Sequence, residues 1–259
     1  MDLLKMHKRR SRLSEAAYIG LNIIFAIALL VLIRGSQSPW LALAVVLLSK
    51  WRTLAVRPRF WLANVIANMV DVTVGISVVT LLFAAGDNLS LQIIITLLYV
   101  FWLLFIKPRS RRSYVAAQAG TAIFLGVTAL SIVSYSWDVV FFILVMWCLG
   151  YVASRHVLGN YDEPRTELYS LLSGFIFAEM GWVGFHWLMA YPLVGFGAIQ
   201  FSQLALFMTL FSFVSERAYA SYHRHGTVHK SDIIMPITLT VSIMVVIYIM
   251  AIVFGSDAL

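Results

Sequence analysis

The chain has 259 residues, of which 61% are hydrophobic and 12% charged, and its mean hydropathy is +0.88. Soluble domains carry about one-quarter charged residues, so this composition excludes an ordinary water-soluble globule and makes the bilayer the expected solvent. The net charge of +7 is divided among short turns between apolar runs and forms no continuous basic face, so the expected partner is anionic lipid at a membrane surface and not nucleic acid.

Residues 1–16 form a basic tail with Lys5, Lys8, Arg9, Arg10 and Arg12. The apolar run behind it imitates a secretory signal, but it leads into Ile33-Arg34-Gly35-Ser36 with no small-x-small cleavage site, so an uncleaved first helix is expected. Nine spans are predicted, at 17–33, 39–55, 60–84, 89–106, 114–134, 137–156, 167–191, 195–218 and 232–254. Each approaches the roughly 20 residues a helix needs to cross a hydrocarbon core, where backbone groups must be satisfied internally. The second is the weakest, because its clean apolar part ends at Ser49, before Lys50 and Arg52.

Charge placement supports counting that run as a crossing. With nine crossings, 18 of the 19 lysines and arginines fall on one side and only Arg34 on the other. The positive-inside rule then predicts a cytoplasmic N-terminus and an external C-terminus, with Lys50 and Arg52 snorkelling to the inner interface. The expected fold is an all-α integral membrane bundle of about nine helices, with one transmembrane domain over 17–255 and a short external tail over 256–259. The longest polar link, Ala220 to Ser231, is too short to form a soluble domain. Short loops and a strong charge bias fit a prokaryotic cytoplasmic membrane.

Polar residues at membrane depth are the candidate functional groups. In the third span Asn64, Asn68, Asp71 and Gly75 follow helical spacing and share one face. An ionised carboxylate near midspan costs about 3 kcal/mol on insertion scales, so Asp71 must be protonated, paired or beside a water-filled cavity. Helix-to-helix hydrogen bonding is the simpler account of the two asparagines. The seventh span holds Glu179, with His186 on the same face and Gly174, Gly181 and Gly184 on the other. A buried glutamate beside a histidine suits proton relay, whereas His186 among Phe185 and Trp187 also reads as an aromatic-belt residue. No lysine or arginine falls near the middle of any span, so the pattern offers neither acid a basic partner. Asn22, Gln118, Gln200 and Gln203 are the polar residues left at depth.

Other signatures fail. Lys50, Arg57 and Pro58 match the K-x6-RP spacing of the first motif in type-2 phosphatidic-acid phosphatases, but no P-S-G-H follows, and the chain is not assigned to that family. Lys50, Arg52, Arg57 and Arg59 with Trp51 and Trp61 read as an anchor for lipid headgroups. His223, His225 and His229 read as a solvated loop, and the lone Cys148 excludes an intrachain disulfide. No P-loop, zinc-protease or nucleophile-elbow motif is present, so no catalytic residue, cofactor or metal is expected. Three functional readings remain. The first is a transporter or permease, coupled to a proton or cation through Asp71 and Glu179 with Asn64, Asn68 and His186 along the route. The second is a non-catalytic scaffold or membrane-complex subunit, as a homo-oligomer or with a partner chain. The third is an intramembrane enzyme acting on lipid-linked substrates.

Overall fold

A computed structural model describes residues 2–53, 55–187, 190–192 and 200–254. Its helices are α1 (Asp2–Ser36), α2 (Trp40–Leu48), α3 (Trp61–Ala84), α4 (Leu89–Phe101), α5 (Arg112–Val133), α6 (Val139–Gly159), α7 (Thr166–Trp187), α8 (Gln203–His225) and α9 (Lys230–Phe254). Among the described residues, six segments are long and apolar enough to cross a membrane: Ser14–Ser36, Pro58–Ala84, Leu89–Ile106, Arg112–Ser136, Val139–Gly159 and Thr166–His186. The chain therefore has the architecture of a multi-pass helical membrane protein. Helix α1 starts at Asp2, so the backbone of the basic tail is continuous with the first span.

Two of the predicted spans are corrected. The expected helix over 39–55 is replaced by the nine-residue α2, which covers only about 14 Å at 1.5 Å per residue. The chain then proceeds through two short 3-10 turns, Trp51–Thr53 and Pro58–Phe60. Lys50 and Arg52 interrupt the apolar run where a continuous helix would require it. The eighth helix begins at Gln203 rather than near residue 195. Before it, β1 (Ala190–Pro192) and β2 (Gln200–Ser202) form a short antiparallel ladder that pairs Ala190 with Ser202. Ser202 then caps α8, its hydroxyl accepting from the Ala205 amide at 3.2 Å. Residues 256–259, the expected external tail, lie outside the described residues.

Two apolar cores hold the helices. One gathers Leu29, Val46, Val74, Leu82 and Leu103 from α1 to the end of α4. The other gathers Val127, Phe142, Met146, Phe177 and Met208 from α5 to α8. Helix α7 packs against α6 through its glycines: a Cβ at Gly174 would stand 2.9 Å from Trp147, and one at Gly181 would stand 2.8 Å from Met146. Close backbone approach of this kind is how helices associate where lipid offers no hydrophobic drive.

The turns sort to two ends. At one, Arg34 donates to Gln92 at 2.9 Å, and Gln92 in turn donates to the Leu82 and Gly86 carbonyls. At the other, the basic end, Asn160 donates to the Ser110 carbonyl at 3.3 Å and the Tyr161 hydroxyl donates to Glu216 at 3.0 Å. The Tyr219 hydroxyl also donates to Glu163 there. These bonds tie the α4–α5 and α6–α7 turns to the end of α8.

Candidate functional site

The site is built around Asp71, near the middle of the Pro58–Ala84 span. Its Oδ2 is held by two ammonium groups, Lys50 and Lys107, the latter at 2.9 Å. This corrects the expectation that no cation reaches the acid. Neither lysine belongs to the middle of a span: Lys50 follows the short α2, and Lys107 follows α4. Each extends its stem along apolar surface to bring its charge to the carboxylate. The Lys50 side chain is only 18% exposed and that of Asp71 13%, so Lys50 is turned inward toward Asp71, where the sequence suggested a headgroup anchor. A buried carboxylate left without a counter-charge is costly, which a lysine reaching inward relieves.

Local structure delivers both lysines. Val46 on α2 approaches Gly75 so closely that a Cβ there would lie 2.7 Å from its Cγ1. That approach brings the end of α2 onto the polar face of α3. Helix α4 ends in a π turn, Trp102–Ile106, closed by the Lys107 amide donating to the Trp102 carbonyl at 2.9 Å. Such widened turns leave carbonyls unpaired by the normal ladder. Gln118 of α5 satisfies them, its Nε2 lying 2.8, 3.1 and 3.0 Å from the carbonyls of Ile106, Lys107 and Arg109. With its amide nitrogen so engaged, Oε1 faces His156 Nε2 at 2.8 Å. His156 must therefore donate from Nε2, which leaves Nδ1 as its acceptor when the ring is neutral.

Two cavities adjoin this arrangement. The smaller, of about 160 Å³, is lined by Asn68, Asp71, Trp102, Lys107, Gln118 and His156, with Ala67 and Val70. Asp71 Oδ1 and Trp102 Nε1, both buried, have no hydrogen-bond partner. The volume corresponds to about five waters at 30 Å³ each. The larger, of about 630 Å³, shares Ala67, Lys107, Gln118 and His156 with it and continues to Arg109, Ser110, Arg155, Asn160 and Thr166 at the basic end. Together they trace a polar route from that end to the carboxylate. Burial, followed by the like charge of Lys107, lowers the Lys50 ammonium from its ordinary value. Burial lowers Lys107 as well, while Lys50 and Tyr18 oppose that shift.

The other expected site residues are distributed differently. Asn68 donates to its own helix at the Asn64 carbonyl, 2.8 Å away, and lines the smaller cavity. Asn64 reaches the Thr53 carbonyl at 3.4 Å and ties α3 to the turn before it. Glu179 does not join Asp71. It is exposed on the outer face of α7, in a stripe with Phe175, Ile176, Trp182 and Val183, and it lines neither cavity. His186 is on the same outer face, where its Nδ1 donates to the Trp182 carbonyl at 2.8 Å and its ring packs on Trp182. Arg57 and Arg59 are exposed, with Arg59 over the Phe60 ring at 4.6 Å. The Arg52 side chain lies outside the described residues.

Sequence reasoning missed Lys107, Trp102, Arg109, Arg155 and His156 as one group. Their signal was positional: Arg155 and His156 close α6 at the level where Lys107 and Arg109 close α4. Comparison of the chain with protein-family models, with curated proteins and with solved structures finds no match in any of the three.

Proposed function

We propose that this chain is a proton-coupled permease of a prokaryotic cytoplasmic membrane, with its basic end in the cytoplasm and its route running through the two adjoining cavities to Asp71. The observation that carries this reading is the Asp71 carboxylate between Lys50 and Lys107, facing a cavity rather than sealed in packed side chains. A metal cation is a poor coupling ion here, because two ammonium groups already surround the carboxylate and repel it. A proton is the species this cluster can exchange. With Asp71 ionised and Lys107 charged, protonation of Lys50 takes the cluster from neutral to a net charge of +1. Burial and the like charge of Lys107 lower Lys50, which favours release of its proton, while Asp71 favours its retention. The groups facing it are Asp71 on α3 and Lys107 after α4, and the Tyr18 hydroxyl on α1, 3.4 Å from the Leu103 carbonyl, acts on Lys107.

The test is proton flux into proteoliposomes carrying a trapped pH-sensitive dye. Wild-type protein is expected to dissipate an imposed pH step, with a rate that rises as the pH at the basic end falls and Lys50 gains its proton. Asp71→Asn is expected to reduce that rate at least about tenfold while leaving insertion unchanged. Equal rates for wild type, Asp71→Asn and protein-free liposomes would remove the reading.

A second reading, a subunit of a membrane complex, is supported by one observation. Glu179 lies exposed on an apolar stripe of a membrane-crossing helix, and a carboxyl group there is costly unless a neighbouring helix satisfies it.

A further inference from the structure

No carboxylate lines the larger cavity. Its charged lining at the basic end consists of Lys107, Arg109, Arg155 and His156; of the neutral residues beside them, Thr166 already donates to the Glu163 carbonyl and Asn160 to the Ser110 carbonyl. The two arginines are braced from behind. Arg109 lies over the Tyr114 ring at 4.7 Å, and Arg155 lies 5.8 Å from the centroid of Tyr151, whose hydroxyl accepts from its Nη1 at 3.1 Å. The acid that meets Arg155 is Glu167, at 3.3 Å and with its side chain 81% exposed, so it offsets little of the charge. With Lys107 paired to Asp71 and Arg155 to the exposed Glu167, cations lining one cavity can take an oxyanion beside or in place of those acids, because arginine forks match tetrahedral or planar anions two bonds at a time. The lining also includes the apolar Ala63, Ile66 and Val115, which suits an anionic head carrying a small organic body. A volume of about 630 Å³ lies within the range of small-molecule sites.

We propose that the larger cavity binds a phosphate-bearing anion, gripped by Arg109, Arg155 and Lys107. The inference deepens the permease reading by naming its substrate class, and it rests on that reading for the ligand's fate but not for its binding. The phosphate belongs either to a water-soluble ester or to a lipid headgroup, and the same residues would recognise both.

The full chain in phosphatidylcholine nanodiscs is titrated with glycerol 3-phosphate and with inorganic phosphate, followed by calorimetry. In a second arm, chain extracted from nanodiscs containing phosphatidic acid is weighed intact by mass spectrometry for retained lipid. The expected result is saturable binding in one arm or the other, weakened at least about tenfold by Arg155→Gln, since a charge-assisted contact is lost. Arg155→Lys is expected to restore binding to within a few fold. Arg57→Gln removes the same charge from an exposed position outside the cavity and is expected to change nothing. Binding of the soluble probes identifies a free anion, whereas retention of phosphatidic acid alone identifies a headgroup. No saturable binding in either arm overturns the proposal, as does an equal loss in Arg57→Gln and Arg155→Gln. Binding without proton flux removes the permease reading and leaves this one standing, whereas flux without binding does the reverse.

Discussion

Asp71 and Glu179 are the same kind of signal in sequence, a lone acid inside an apolar run with glycines nearby, yet the fold treats them in opposite ways. Asp71 is turned into the bundle, paired with Lys50 and Lys107 and set beside a cavity. Glu179 is turned out of the bundle, on the exposed stripe of α7, and no ion pair holds it among the described residues. The difference lies in what surrounds each helix. Helix α3 packs against α2, α4, α5 and α6, so most of its circumference is covered. Helix α7 has α6 as its main neighbour and presents its other side outward. A midspan acid becomes part of an internal site only when neighbours on the acid's own side supply both room and charge.

Replacing Asp71 by an apolar residue gives the largest expected effect. Asp71→Leu leaves two ammonium groups facing each other in a mostly buried position with no counter-charge. Removing one partner of a buried ion pair destabilises by about 3–5 kcal/mol. That loss is expected in reversible unfolding from mixed micelles. Combining Asp71→Leu with Lys50→Met and Lys107→Met is expected to recover most of it, because apolar replacement of a whole buried cluster is often neutral. A loss below about 1 kcal/mol in Asp71→Leu alone would mean that the lysines reach water when the acid is gone, and the contrast between the two acids would shrink accordingly.

Much of this arrangement was legible in the sequence, and the part that was not has a physical reason. Apolar run length and turn charge are local properties, so six of the nine expected spans appear among the described residues as helices of crossing length and the basic turns gather at one end. The α3 stripe was also legible as a face, and Asn68 and Asp71 do line one cavity. The partners of Asp71 were hidden because lysine carries its charge on a long flexible stem, which decouples the position of the residue from the position of the charge. Span boundaries therefore say little about where Lys50 and Lys107 act. The early end of α2 was foreshadowed by the charges after Ser49, whereas the π turn after α4 is a product of packing, visible only once Gln118 gathers the loose carbonyls. For α7, periodicity showed which residues share a face but not which face is inward.

The glycines decide that orientation, and a smaller substitution tests it. Gly150 on α6 faces Phe177 on α7, where an added Cβ would stand 2.5 Å from the ring Cγ and 2.7 Å from the Phe177 Cβ. Those atoms are near the backbone and cannot swing aside as the end of a long chain would. Gly150→Ala is therefore expected to destabilise by about 1–3 kcal/mol, the usual range for overpacking a filled core. A thermal shift assay in nanodiscs reads it. Gly159→Ala on the same helix, where an added Cβ would meet nothing within 4 Å, is the matched control and is expected to change little. Equal effects of the two would mean that α6 and α7 adjust their spacing freely, and the outward orientation of Glu179 would lose its cause.

The smallest expected effect belongs to Glu179 itself. Because its side chain is exposed and unpaired among the described residues, Glu179→Gln removes no internal contact and should move the stability of the isolated chain by less than about 0.5 kcal/mol, as for other surface substitutions. The same change would act strongly on an assembly in which the carboxyl group meets a neighbouring helix, since a polar group in hydrocarbon gains most from a partner there. Glu179→Gln preserves hydrogen bonding, and Glu179→Leu abolishes it. Single-molecule counting of labelled chains in bilayers therefore separates the alternatives. If wild type and Glu179→Gln associate while Glu179→Leu remains single, the outer face of α7 is a contact between copies. If all three remain single, Glu179 has no role in self-association, and Asp71 is left as the acid on which the permease reading depends.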